Sequence, residues 1–180
     1  MISAFIALIL IPACTILFAG NENWFTTNFS VLGNVIGHQG TLVTWGIFIG
    51  GYFYWILYQI LLYIPTPVRW SWLIPFDLIL LCLAVTTPYL PERFPFQASM
   101  HFLFAFFSAL VLIWILIRLT VCLYMTNTKK FRLFLWELGG IILISFILFV
   151  RAGFVTSALE VFFTISCSYF LFQMFHTLRK

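Results

Sequence analysis

SMHFLFAFFSALVLIWILIRLTVCLY, residues 99–124, decides the class of fold. One histidine, His101, one arginine, Arg118, and the hydroxyls of Ser99, Ser108 and Thr120 interrupt an otherwise apolar run that exceeds the roughly 20 residues needed to cross a bilayer core as an α-helix. In hydrocarbon an isolated segment must satisfy its own backbone hydrogen bonds, and a helix does so. Similar apolar runs lie at 2–19, 41–64, 70–88, 134–151 and 154–176. The sequence therefore predicts an all-α, polytopic membrane protein: a bundle of six transmembrane helices forming a single domain over residues 1–180.

Composition points the same way. Hydrophobic residues make up 63% of the 180 positions and charged residues 8%, and the mean hydropathy is +1.10. Too little polar surface remains to cover a water-soluble globule. The net charge of +4 does not argue for nucleic acid, because the basic residues flank apolar spans instead of forming an extended surface. Cys14, Cys82, Cys122 and Cys167 are scattered singly, without metal or redox spacing, and read as small buried hydrophobes. Met1-Ile2-Ser3 lacks a positive charge and Phe18-Ala19-Gly20 is a poor cleavage site, so the first run is expected to stay as a membrane helix. Trp45, Tyr63, Trp70, Trp72, Tyr89, Tyr124 and Trp136 fall near predicted span ends, where amphipathic rings anchor at the interface.

Lysine and arginine near short loops set orientation. Arg69, Arg118, Lys129, Lys130, Arg132, Arg179 and Lys180 fall on one side, Arg93 and Arg151 on the other. Both termini are therefore expected in the cytoplasm, and the phenylalanine-rich, loop-poor style suggests a bacterial plasma membrane. The two longest connections, 21–40 and 88–98, then lie outside. In the second, Pro88, Pro91 and Pro95 forbid a continuing helix and predict a stiff cap.

The residues able to carry chemistry are few. Asp77 lies within the third span, where a carboxylate costs about 2.5–3.5 kcal/mol on insertion scales and is a functional candidate by default. His101, at the outer start of the fourth span, suits a general base or proton relay. It is expected at the mouth of a cavity that Asp77 faces from below. Arg151 and Glu160 lie on the same outer side; a salt bridge between them is the plainer expectation, and an Arg151 clamp on a phosphate or carboxylate the sharper one. Asn28, Ser30 and Glu92 are further ligand-binding candidates on the outer connections. The first connection mixes Asn28, Ser30, Asn34 and His38 with Phe25, Phe29, Val31 and Leu32, so it is expected to fold back over the helix ends. Glu137 is expected to pair with Lys129, Lys130 or Arg132, which also suit anionic headgroups. HExxH, GxSxG and phosphate-loop motifs do not occur. A metal site would need Asp77, His101, Glu160 and His38 to converge, which no spacing requires, so no metal is predicted.

Two segments, Asn28-Phe29-Ser30-Val31-Leu32-Gly33 and the proline-containing connection from Pro88 to His101, resemble elements of the six-helix DRAM/Sfk/Frag-type membrane proteins and related prokaryotic families of unknown function. Val31 stands where that group often has an acid. The resemblance implies a role connected with lipids, without naming a reaction.

The leading expectation is an outward-facing polar pocket that binds or remodels a lipid or lipid-like ligand; if it is catalytic, hydrolysis or acyl transfer with His101 or Asp77 as base is the most economical chemistry. The alternatives are a substrate-binding subunit of a transporter and a structural or regulatory partner of another membrane protein, with homo-oligomerisation also open. For the transporter reading, Ala4, Ala7, Ala13 and Ala19 would give a partial docking stripe.

Overall fold

Pro12 sets the geometry of the first helix. Proline has no N–H, and its ring collides with the carbonyl four residues earlier in a regular α-helix. The computed structural model, which describes residues 2–64 and 70–179, resolves the conflict with a π-helical turn at Ile6–Leu10, in which the Ile11 N–H reaches back to the Ile6 carbonyl. That widening lets α1 (Ile2–Ala19) run past the proline as one membrane-length helix. There follow α2 (Phe29–Asn34), α3 (Gln39–Leu61), α4 (Leu73–Thr86), α5 (Pro95–Thr126), α6 (Thr128–Ala152) and α7 (Ser157–Leu178).

Local chemistry explains the boundaries. Pro95 opens α5 from its first turn, where a missing N–H costs nothing. The expected proline cap is therefore shorter than predicted, because Pro95 starts a helix that was expected only from residue 99. Asn127 is the single residue between α5 and α6: its N–H closes on the Leu123 carbonyl, and its side chain accepts from the Lys130 N–H at 3.0 Å. Such a tight break turns α6 back along α5. The helix thus begins at Thr128, ahead of the apolar run at 134, because capping and not hydropathy sets its start. Gly153, at φ +76°, ends α6, and the Thr156 hydroxyl caps α7 by accepting from the Leu159 N–H at 3.3 Å.

Five helices, α1, α3, α5, α6 and α7, are long and apolar enough to cross a membrane. The 14-residue α4, expected over 70–88, is shorter. At 1.5 Å per residue it spans about 21 Å, against about 30 Å of hydrocarbon. Arg69 and Lys180, two of the basic residues used for orientation, lie outside the described residues.

Consecutive helices α3 to α7 pack side by side, and α7 also touches α1 and α3. Ile56, Ile115, Leu116, Leu119, Phe170, Leu171 and Met174 form the solvent-free centre. Close approach of α3 and α4 depends on two glycines. A Cβ on Gly46 would lie 2.5 Å from Val85 Cγ1, and one on Gly50 2.8 Å from Leu81 Cδ2. This is the small-xxx-small device of membrane helices. On α1, Ala7 and Ala19 are buried whereas Ala13 is exposed, so no continuous alanine stripe faces outward.

The outer surface is as apolar as the core. Leu17, Met125, Leu133 and Phe146 are each more than 60% exposed, a surface suited to lipid and not to water. Cys167 is buried as expected, but Cys14 is exposed and Cys82 and Cys122 are half-buried; in a bilayer the outer face offers an apolar environment too. The architecture is that of an integral membrane helical bundle.

The Ala19 end of α1 and the Ser157 end of α7 meet at the α1–α3 connection, where Trp24 and Thr27 carbonyls accept from Ala158 and Ser157 N–H groups. Residue 2 of α1 and Leu178 of α7 therefore both lie at the opposite end. We call these the loop end and the terminus end.

Candidate functional site

The loop end carries a polar cluster centred on α2. Asn28, extended at φ −139°, accepts from the Val31 N–H at 2.8 Å and so starts the helix. Phe29 follows and drives its ring, 1% exposed, between Phe18 and Trp45, edge-on to both with centroids 4.9 Å away. Gly33 lies so close to α3 that a Cβ would sit 2.5 Å from Leu42 Cδ2. Together these contacts seat α2 across the helix ends, as the mixed composition of the segment led us to expect.

Two further bonds tie α2 to distant helices. Glu160, in the first turn of α7, accepts the Phe29 N–H on Oε2 at 2.7 Å. Ser30 Oγ lies 2.6 Å from His101 Nε2 on α5. The other ring nitrogen, Nδ1, lies 2.8 Å from the Thr87 carbonyl oxygen.

This last contact fixes the tautomer of a neutral ring. A carbonyl oxygen can only accept, so Nδ1 carries the hydrogen and donates it to Thr87. Nε2 is then the bare lone pair, and Ser30 Oγ–H donates to it. The Thr87 carbonyl is free to accept because it lies past the last turn of α4, with φ −80° and ψ 124°, and because Pro88 forces its predecessor out of the helical region. His101 is 4% exposed and the Tyr89 ring packs on it at a centroid distance of 5.4 Å, so the imidazole is held on two nitrogens and one face. Asn34 Nδ2 donates to the Ser30 carbonyl at 3.1 Å and steadies the serine backbone.

Asn28, Ser30, His101 and Glu160 are thus brought together around α2. The other candidates are not. Asp77 is buried, and its Oδ1 accepts from Ser108 Oγ at 2.9 Å. Ser108 lies seven residues beyond His101 on α5, a rise of about 10 Å, so Asp77 is satisfied two turns below the dyad and does not join it. Glu92 and Arg151 are exposed. The expected Arg151–Glu160 salt bridge is replaced by the Glu160–Phe29 bond, because a main-chain N–H at a buried helix start has no water to turn to whereas an exposed guanidinium does. Glu137 likewise accepts from Gln173 Nε2 at 3.0 Å instead of pairing with the nearby lysines. His38 is exposed, and among the described residues no three histidine, cysteine or carboxylate side chains are placed to hold a metal ion.

Thr87 and Ser108 are structural partners that the sequence reading did not single out. Thr87 had a legible signal, the proline after it; Ser108 had none, being one of three serine and threonine hydroxyls in the run 99–124. Compared with protein-family models, with curated proteins and with solved structures, the chain matches none.

Proposed function

We propose that this chain is a six-helix membrane protein that acts on a lipid or lipid-like ester at its loop end, with Ser30 as nucleophile and His101 as general base. The observation that carries the reading is the Ser30–His101 contact of 2.6 Å together with the 2.8 Å bond from His101 Nδ1 to Thr87. Nucleophile, base and a group orienting the base form the recurring signature of covalent acyl chemistry. Depth supports a lipid substrate. His101 lies six residues into α5, about 9 Å along the helix from its start; with that start at headgroup level, the imidazole would reach the depth of acyl esters. In this scheme α4 completes the membrane bundle despite its length, the loop end faces out, and the terminus end faces the cytoplasm of a bacterial plasma membrane.

The step balances without a further reagent. Ser30 Oγ bonds to the ester carbonyl carbon as its proton passes to His101 Nε2, and the imidazolium keeps its Nδ1–H on Thr87. The carbon–oxygen bond to the lipid alcohol then breaks, and the alcohol leaves with the proton from Nε2. Water, or a second lipid hydroxyl, removes the acyl group by the same steps in reverse. The reaction class is therefore hydrolysis or acyl transfer.

The test is lipid mass spectrometry of nanodiscs containing the wild type, Ser30→Ala or His101→Gln, after incubation with glycerophospholipid esters. The expected result is free fatty acid or acyl-exchanged lipid from the wild type, reduced at least about 100-fold in either variant, the low end of what general-base catalysis supplies. Turnover that persists in both variants would overturn the assignment.

A second reading is favoured by one observation: the Ser30–His101 and Glu160–Phe29 bonds both fasten α2 to other helices. In that reading α2 is a clasp, and the chain is a partner or substrate-binding subunit of another membrane protein, or assembles with copies of itself. Loss of α2 order in Ser30→Ala, with no lipid product from the wild type, is its signature.

A further inference from the structure

The terminus end has a feature unconnected with Ser30 and His101. Thr128, Lys129, Arg132, Leu133 and Trp136 on α6 line an open groove of about 350 Å³. Leu133 and Trp136 are 73% and 72% exposed, giving the groove an apolar wall on the lipid side beneath two cationic heads.

No carboxylate among the described residues is positioned to cover those cations. Glu22, Glu92 and Glu160 lie at the loop end, Asp77 is buried against Ser108, and Glu137 accepts from Gln173. The other described arginine and lysine side chains of this end lie over aromatic rings: Arg118 over Trp114, Lys130 over Phe131 and Arg179 over Phe175. Among the described residues, Lys129 and Arg132 are the basic side chains that line the groove.

We propose that this groove holds the headgroup of an anionic phospholipid from the leaflet at the terminus end. Charge complementarity selects the anion: an arginine fork matches phosphate with two parallel bonds, and a lysine adds a mobile point charge. Location selects a lipid over a soluble anion. Trp136 is the ring type that sits at headgroup level, and below it the exposed Leu143, Phe146 and Ile147 continue α6 as an apolar wall for acyl chains. Occupancy would pin α6, whose partner across the bundle at that level is the α7 residue Gln173.

The test is native mass spectrometry of the full chain released from nanodiscs of mixed phosphatidylglycerol and phosphatidylcholine. Lys129→Gln/Arg132→Gln is compared with a charge-matched control, Lys130→Gln/Arg179→Gln. A juxtamembrane cation is worth roughly fivefold in anionic-lipid binding, so diffuse attraction alone lowers phosphatidylglycerol retention equally, about 25-fold, in both. The proposal predicts a loss at least about tenfold greater in the groove variant. Equal losses, or no preference of the wild type for phosphatidylglycerol over phosphatidylcholine, would overturn it. A parallel titration with inorganic phosphate separates the sources: binding as tight as that of the lipid would also overturn the lipid assignment.

Discussion

Replacing Glu160 with alanine should loosen α2 without unfolding the bundle. The Glu160 carboxylate accepts the Phe29 N–H at 2.7 Å, at a residue whose side chain is 1% exposed. Removing the acceptor leaves a buried donor unpaired, which costs about 1–3 kcal/mol. The Phe29 ring, still wedged between Phe18 and Trp45, retains about 1.5–3 kcal/mol of burial, so α2 stays docked but opens more often. One decade in an equilibrium is 1.4 kcal/mol. Hydrogen exchange of the amides of residues 29–36 in nanodiscs should therefore speed up by roughly 5- to 150-fold, while the centres of α5 and α7 keep their protection. Glu160→Gln preserves an acceptor and should change exchange by less than about threefold. That pair of variants separates the bond to Phe29 from the 0.3–1 kcal/mol that an acid in the first turn gives α7 through its dipole, which both substitutions remove. Unchanged exchange at 29–36 in Glu160→Ala, or equal acceleration in both variants, would show that the Glu160–Phe29 bond does not hold α2.

Other substitutions have definite expected outcomes. Gly46→Leu forces a side chain into Val85 and should destabilise the bundle by about 1–3 kcal/mol, read as a lower midpoint in denaturant titration in mixed micelles; an unchanged midpoint would mean α3 and α4 are not packed as described. Trp45→Phe deletes the indole bond to Thr15 Oγ1 at 3.1 Å and should cost about 0.6 kcal/mol in the same titration, the average for interhelical bonds in membranes. Asp77→Asn keeps a carbonyl oxygen for Ser108 and should leave lipid turnover within about twofold of the wild type, whereas a 100-fold loss would bring Asp77 back into the chemistry.

The membrane class was legible because hydrocarbon is a simple solvent: runs such as 99–124 and 2–19 declare themselves by length and apolarity. What hydropathy does not encode is hydrogen-bond register, so the π turn before Pro12 was invisible even though the proline was in plain sight. The helices start ahead of residues 99 and 134 because Pro95 acts through its fixed backbone angle and Asn127 through a side-chain cap on the Lys130 N–H, neither of which hydropathy records. The Gly46 and Gly50 pair, four residues apart in an apolar run, is readable as a packing motif and is more regular than the alanines of α1. At the loop end, Ser30 and His101 each stood out as a lone polar group, but they are 71 positions apart, and their meeting depends on how Phe29 seats α2. Arg151 and Glu160 look like partners because they are near in sequence and opposite in charge. Attraction between charges that can reach water or headgroups is weak, and the buried N–H of Phe29 competed successfully for the carboxylate.

If Ser30 is an activated nucleophile, a serine-directed electrophile will label it covalently. Wild type, Ser30→Ala and His101→Gln in nanodiscs are treated with an alkyl fluorophosphonate, an electrophile that reacts with activated serine, and followed by intact mass with peptide mapping. The account predicts a single adduct on Ser30, absent in Ser30→Ala and slowed at least about 100-fold in His101→Gln. No adduct on the wild type, or an adduct whose rate ignores His101, would contradict it.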